Sequence, residues 1–344
     1  MSGNESIHGE AVNPSLIDLL RNALDQRSDR LASGDNASAL RLFNGFSEGL
    51  PGLVVDLYAA TLLIHDLSKP AGGWEDLIPQ SIELYRSRIP WLDAVVLKTR
   101  HAPSTQDRCG RLLLGEGTSD RVMEHGVWYA LDLLIQQAAG FYLDTANLRR
   151  WLIDNLQGKT VLNTFAYTGS LGVAALAGGS SLVTHLDRNR EYLSFARRSC
   201  ELNGFPPERS EYLVGDFFRR VSQLKRKGKL FDCVILDPPF FSSGGRSRLD
   251  LAQEPHRLVN KLRPLVADGG WLVAINNALF LSGKDYLASL EALCIDGYLK
   301  IEQIIPVPQD FCGLVNLSLQ PYPADPAPFN HPTKIVLLKV RRKE

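Results

Sequence analysis

Residues 160–172 read Thr-Val-Leu-Asn-Thr-Phe-Ala-Tyr-Thr-Gly-Ser-Leu-Gly. The opening TVLNT, rich in β-branched and apolar residues, predicts a buried strand. Small residues with Gly169 and Gly172 follow, and then the apolar run LGVAALAGG. Glycines at such a place let the backbone approach a ligand closely and open a helix. The turn is not GxGxxG, the fingerprint that seats a pyrophosphate, so it suits a ligand without phosphates better than a dinucleotide. A plain strand-to-helix turn could carry the same letters.

Moving outward, the pattern repeats. Strands are predicted at 160–167, 181–187, 211–216, 231–237 and 270–276, with helical stretches between them. One helix, LSFARRSCELNG, closes at Gly204, as a helix C-terminus often does. This alternation predicts an α/β fold with a Rossmann-like, doubly wound, mostly parallel sheet. Two later strands, 298–307 and 333–340, lack a clear helix between them. They bring the sheet to seven strands, predict an antiparallel pair at one edge and leave 308–332 as a long connection. Toward the N-terminus, GLVVDLYAATLLIHDLS predicts two short strands meeting near Ala59-Ala60. A helix over 78–90 and strands in DAVVLKTR and VWYALDLL complete a small α+β unit. An amphipathic helical period runs over 15–31. The expected organisation is an extension over 1–37, an α+β domain over 38–135 and the doubly wound domain over 136–344.

Ligands of doubly wound sheets bind at the carboxyl tips of the parallel strands, so the residues there carry the functional reading. Asp187, at the second tip, can accept from two ribose hydroxyls; a helix N-cap is the structural alternative. Asp216 can accept from an adenine amino group while Phe217 packs on the ring, and an N-cap is again the alternative. At the fourth tip stands Asp237-Pro238-Pro239-Phe240-Phe241. The two prolines end the ladder and fix the backbone, so Asp237 and a nearby carbonyl face the cleft. Phe240 offers an aromatic face to a planar base. Together the tips describe a ligand with an adenine, a ribose and no phosphate, and S-adenosylmethionine (SAM) fits.

Residues from about 136 onward resemble a class I SAM-dependent methyltransferase. Over 40–344 the chain is similar to the bacterial large-subunit (23S) ribosomal RNA methyltransferases, a family that makes 5-methylcytosine or 7-methylguanine. The similarity rests on RLFNGFSEGLPGLVVDLYA, VVLKTR, GFYLDTANLRRWL, VLNTFAYTGSLGVAALAGG, FDCVILDPPFF and LVAINN. It implies that Asn163, Phe165, Tyr167, Thr168 and Gly169 line the methionine end of SAM, and that Asp144 and the nearby GFYLD backbone close over it, with Phe141 among the cofactor-binding residues. Asp187 would hold the ribose and Asp216 the adenine. Asp237, Pro238 and Phe240 would meet the target base. The resemblance also implies that the N-terminal α+β unit helps hold RNA.

Three departures from the family pattern matter. Many relatives carry Arg two residues after the GFxLD Asp, where this chain has Ala146. Many begin with a PUA domain, for which about 37 residues leave no room, so RNA would be held otherwise. The third departure concerns chemistry. Methylation at cytosine C5 needs a Cys thiolate to attack C6 first, at the fourth or fifth strand tip. Here those tips read DPPFF and Ile275-Asn276-Asn277, without Cys. Cys233 lies inside a strand and reads as a core thiol. A guanine N7 has a free lone pair and needs only alignment with the methyl donor. The 7-methylguanine branch carries an Asn-Asn pair at the fifth tip, which Asn276-Asn277 resembles. An exocyclic amine bonded by Asp237 is the other nitrogen option.

Lys98, Arg100, Arg246 and Arg248 are the RNA-binding candidates. The basic run 219–229 could neutralise phosphates or be a solvated helix face. The chain has 38 basic and 38 acidic residues, and its net charge of +0 excludes a polybasic binder. Its five scattered Cys indicate neither a zinc site nor a disulfide framework, and suit a reducing cytoplasmic compartment. No apolar run is long enough for a membrane span. A SAM-fold assembly factor with little catalysis stands as the non-enzymatic alternative; Ala146 and the missing Cys give it some support, and the intact FAYTGS, Asp187, GD and DPPF set argues against it. An NAD-dependent oxidoreductase is disfavoured by the absent GxGxxG.

Overall fold

The computed structural model describes residues 15–33, 36–71, 74–134, 139–239, 255–279, 281–311 and 332–342. The chain opens with α1 (Leu16–Gln26), capped by the Ser15 hydroxyl, and α2 (Ser28–Ser33). The predicted single helix breaks at Arg27, whose guanidinium turns inward to Glu48 at 2.8 Å. Strands β1 (Ala39–Phe43), β2 (Leu53–Tyr58) and β3 (Thr61–Asp66) form an antiparallel meander. Helix α3 (Ile78–Arg88) leads to β4 (Ala94–Thr99), parallel to β3. Helix α4 (Thr105–Cys109) and β5 (Arg111–Leu114) then close a five-stranded sheet in the order β1-β2-β3-β4-β5. Neither α4 nor β5 is predicted from the sequence; both are short, and short elements carry little periodicity. One sheet face packs Leu42, Val55, Leu62 and Val95 against Leu20 and Leu24 of α1 and Tyr85 of α3.

The hairpin β6 (Arg121–Glu124) and β7 (Val127–Ala130) follows. Next come α5 (Ala146–Asn155), β8 (Thr160–Thr164), α6 (Ser170–Ala177), β9 (Leu182–Asp187) and α7 (Arg190–Leu202). The chain continues with β10 (Ser210–Val214), α8 (Phe217–Arg226), β11 (Phe231–Leu236), α9 (Pro255–Leu262), β12 (Val266–Asn276), α10 (Gly283–Glu291), β13 (Leu299–Ile305) and β14 (Lys334–Val340). Among the described residues the second sheet has seven strands in the order β10-β9-β8-β11-β12-β14-β13. The first five in sequence are parallel, while β14 runs antiparallel to both β12 and β13. The predicted antiparallel pair does lie at the edge, with β13 outermost.

Period-2 alternation builds both layers of this sheet. Cys233 and Ile235 of β11 face the cluster containing Leu148, Leu152, Val173 and Leu176 of α5 and α6. Val234 and Leu236 face Val221, Leu258, Leu262 and Tyr286 of α8, α9 and α10. Tyr58, Leu63 and Val96 of the first sheet, with Val122 and Tyr129 of the hairpin, join the first of these clusters. The second face of the N-terminal sheet therefore packs toward the doubly wound unit. The hairpin lies within the expected 38–135 unit, yet it binds α7: Trp128 N and Ala130 N donate to Asn203 Oδ1 and Ser199 Oγ, both at 2.9 Å. Strand order reverses beside β8, so the crevice opens at the tips of β8 and β11.

Candidate active site

The turn after β8 is built against local preference. Phe165 and Tyr167 have φ of 53° and 50°, and Gly169 has 81°. Positive φ costs a non-glycine residue about 1–3 kcal/mol unless its surroundings enforce it. Three hydrogen bonds do so here. Ala166 N donates to Leu186 O at 3.0 Å and Gly169 N to Ala166 O at 2.7 Å, while Tyr167 N donates to Asp187 Oδ2 at 2.9 Å. A side chain on Gly169 would place its Cβ 2.3 Å from Ala196 Cβ. Asp187 Oδ1 accepts from Asn189 N at 2.9 Å. Burial raises the Asp187 pKa, and backbone donors at Asn189, Tyr167 and Arg188 oppose that rise. The carboxylate keeps acceptor capacity beyond these backbone donors, which suits a ribose hydroxyl.

The opposite wall is the segment 140–145, fixed at three successive carbonyls. Gly140 O accepts from Thr168 Oγ1 at 2.5 Å. Phe141 O accepts from Tyr58 Oη at 3.0 Å. Tyr142 O accepts from Arg149 Nη1 at 2.9 Å. Arg149 is buried, pairs with both oxygens of Glu124 at 2.5 and 2.9 Å, and lies 4.0 Å from the Phe141 ring centroid. Asp144 Oδ2 accepts from Thr333 Oγ1 at 2.6 Å. The floor is the tip of β11. Burial, and then the Asp144 charge, push the Asp237 carboxyl up to about 7. Tyr142 is 45% exposed. Its phenol lies within electrostatic range of Asp237, Asp144, Tyr192 and Arg100. The Tyr142 and Tyr192 rings flank Tyr167, with centroids 5.5 and 4.6 Å from its own.

The predicted residues thus divide into groups. The geometry brings Asn163, Phe165, Tyr167, Gly169, Asp187, Asp144 and Asp237 to one end of the sheet. Asn163 is buried and its Nδ2 lacks a hydrogen-bond partner. Asp216, at the next tip, is exposed and caps α8 by accepting from Arg219 N at 2.9 Å. Four side chains sit differently from expectation. Phe141 is a buried core ring, packed on Tyr129 at 4.9 Å, so its side chain belongs to the core. Thr168 is buried, with its hydroxyl committed to Gly140. Phe217 is buried and stacks on Phe165 at 4.5 Å, whereas its neighbour Phe218 stays 38% exposed. Lys98 is 2% exposed inside β4, and burial lowers its pKa to about 8, so it does not meet a surface phosphate. Arg100, just past β4, is exposed.

Asn276 is buried and its Oδ1 accepts from Ala278 N at 3.0 Å, a turn cap. Asn277 is half-buried beside it, and Pro238 is buried at the base of the β11 tip. Phe240, Arg246, Arg248 and Cys312 lie outside the described residues. Ala146 begins α5, and its carbonyl accepts from His125 Nε2 at 3.2 Å. Sequence reasoning missed Tyr142, Tyr192 and Thr333. Tyr142 was readable only as part of GFYLD, and nothing local marks Thr333, 189 positions from its partner.

A doubly wound sheet with acids at successive tips and a glycine turn defines a nucleoside-binding α/β protein. Residues 55–311 match the family model of S-adenosylmethionine-dependent methyltransferases. That match spans most of the chain, and the chain belongs to this family. It is 30% identical over 266 residues to a ribosomal RNA large subunit methyltransferase I of Photobacterium profundum, covering 77% of this chain and 66% of the relative. It is 32% identical over 249 residues to the protein of that name from Aeromonas hydrophila, covering 71% and 62%. The match therefore spans slightly less than two thirds of these relatives' own length. Among solved structures, SMU.776 complexed with SAH superposes with a TM-score of 0.82 at 22% identity, covering 95% of this chain and 83% of that one. The tRNA m1G37 methyltransferase of M. jannaschii superposes at 0.57 with 14% identity, covering 85% and 77%. Both likenesses concern the fold.

The residues present fit the family's cofactor. Asn163 offers an orphaned buried amide donor, which suits a carboxylate or another acceptor. Asp187 offers acceptors for paired hydroxyls, and the Asp237 and Asp144 carboxyls favour a nearby cation. Among the described residues no group of three or more His, Cys, Asp or Glu side chains could hold a metal ion, and no helix is long and apolar enough to cross a membrane.

Proposed function

We propose that this protein transfers a methyl group from SAM to a base nitrogen of large-subunit ribosomal RNA. When bound, SAM would supply an electrophilic sulfonium methyl for a base lone pair, with the methyl–sulfur bond broken and a neutral thioether left. The chain's part is alignment. Asp187 and the turn it holds orient the nucleoside; the segment 140–145 excludes water over the cofactor; Asp237, Asn276 and Asn277 border the place of the target base. For a guanine N7 no proton leaves. For an exocyclic amine, Asp237 and a neighbouring carbonyl would accept hydrogen bonds from the amine and place the nitrogen, and the proton released on methylation would pass to the Asp237 carboxylate. The RNA target comes from the names of the relatives. Arg100 would meet a phosphate on the N-terminal side of the crevice.

The observation that carries nitrogen over carbon is that the sequence at either relevant tip, DPPFF and INN, contains no Cys. Cys233 is buried in mid-strand, where burial raises its pKa far above the ordinary thiol range. Thiolate attack on a base from there is unsupported. Cytosine C5 would require a nucleophile at the tips of β11 or β12, where this chain has Asp237-Pro238-Pro239 and Asn276-Asn277. The test is methyl transfer from isotope-labelled SAM to ribosomal RNA lacking its native marks, followed by nucleoside mass spectrometry. Labelled 7-methylguanine or an amino-methylated base is expected. Labelled 5-methylcytosine overturns the nitrogen reading; absence of label with SAM still bound overturns the RNA reading and favours a non-catalytic assembly role.

A further inference from the structure

The start of β14 bonds to two separate loops of the crevice. Thr333 Oγ1 donates to Asp144 Oδ2 at 2.6 Å, on the cofactor wall. The next residue, Lys334, is 2% exposed, and its ammonium donates to Ala278 O at 2.6 Å and Leu281 O at 2.8 Å. Those carbonyls belong to the turn that follows Asn276-Asn277. Lys334 also stands directly opposite Asn276 in the β12–β14 ladder, so the two side chains share a sheet face. Asn276 Oδ1 accepts from Ala278 N at 3.0 Å. Ala278 is thus held at its N–H by one member of a cross-strand pair and at its carbonyl by the other.

A buried ammonium is costly unless its protons are satisfied. A turn needing only closure could use Gly, Asn or a water, so a lysine here needs a reason. Lys334 bonds turn carbonyls 56 and 53 positions away, and Thr333 beside it bonds the opposite wall. One rigid strand end therefore sets the distance between the two loops across which a methyl group must pass. Near-attack geometry is sensitive to displacements of about 1 Å, and a packed strand holds position better than a loop.

We propose that Thr333 and Lys334 are positioning residues that set the two walls of the crevice, Thr333 through Asp144 and Lys334 through Ala278 and Leu281 after the Asn276-Asn277 pair. This rests on the reading of that turn as the wall that meets the base. Thr333→Val is expected to weaken SAM binding about three- to tenfold, less than the full worth of one hydrogen bond to a charged group because the effect reaches SAM only through Asp144, with little change in RNA affinity. Lys334→Met is expected to leave SAM affinity within about twofold while cutting kcat by about tenfold or more. Lys334→Arg, which keeps the cation and its donors, should restore much of that loss. Amide hydrogen exchange on the full chain supplies a readout independent of activity. Lys334→Met should speed exchange at 277–279 and 281 but not at 141–145, and Thr333→Val the reverse. Equal losses in both segments, or of SAM and RNA binding together in either variant, overturn the proposal. If the wild-type chain binds SAM but labels no RNA, the function reading fails while the exchange experiment still decides this one.

Discussion

The backbone N–H of Tyr167 donates to Asp187 Oδ2 at 2.9 Å, so the acid at the tip of β9 holds the turn that follows β8. One carboxylate therefore stabilises a positive-φ residue and faces the crevice with its remaining lone pairs. Asp187→Ala should raise the SAM dissociation constant about tenfold to a hundredfold, as loss of hydrogen bonds to a charged group implies. Isothermal calorimetry checks this. Unchanged affinity would reject the assignment of Asp187 to the cofactor.

Asp237 links stability to pH. Its folded pKa of about 7 lies above the ordinary 3.8. Between those values the folded state holds more protons than the unfolded one, so stability falls as pH rises toward 7. The penalty is fully present above pH 7 and gone below about pH 4. Asp237→Asn should therefore stabilise the protein at pH 8 by about 2 kcal/mol, discounted for solvent access, with no gain at pH 4. Turnover should drop by about two orders of magnitude, the cost of misplacing the target base. Thermal melts at both pH values test the sign; a destabilised Asn variant at pH 8 would contradict it.

Arg149 anchors the segment 140–145 through Tyr142 O. Arg149→Ala leaves Glu124 without its cation and Tyr142 O without its donor. A loss of about 3–5 kcal/mol is expected, as for breaking a buried pair from one side. Arg149→Lys should rescue little, because an ammonium cannot form the two-pronged pair. Urea midpoints measure both variants.

Gly169 and Gly204 make a matched comparison. Both have positive φ, 81° and 64°. An added Cβ at Gly204 meets nothing within 4 Å, whereas at Gly169 it strikes Ala196. Gly204→Ala should cost about 1 kcal/mol and keep SAM binding. Gly169→Ala should displace the turn against α7 and abolish detectable SAM binding. Equal effects in calorimetry would mean that φ alone constrains Gly169.

Removal of thiols tests the chemistry directly. Replacing Cys109, Cys200, Cys233, Cys294 and Cys312 one at a time with Ser or Ala should leave methyl transfer within about threefold, since nitrogen transfer needs alignment rather than a thiolate. A single variant that folds, binds SAM and loses all turnover would identify a nucleophile and return the reaction to carbon.

Much of the fold is legible in the sequence because apolar residues recur at strand and helix periods. Val161, Val234 and Val273 lie in runs long enough to announce buried strands. Gly204 and the Asp237-Pro238 step mark where elements stop. Those signals yield a mostly parallel sheet, an antiparallel pair at its edge, and acids at successive tips. They are local, and each depends on the conformation of a few consecutive residues.

Tertiary structure decided what each polar side chain does with its hydrogen bonds. Lys98 and Arg100 differ by two positions, yet one is buried in β4 and the other exposed. Phe217 and Phe218 are adjacent, and only the second stays open. Thr333 reaches Asp144 across 189 positions, and Arg149 takes Glu124 from a hairpin no motif announces. A buried polar group must find a partner wherever the chain brings one, and periodicity carries no record of partners so distant. The sequence by itself determined the sheet and the kind of nucleoside it suits; packing alone decided which side chains stand around that site and which hold it in place.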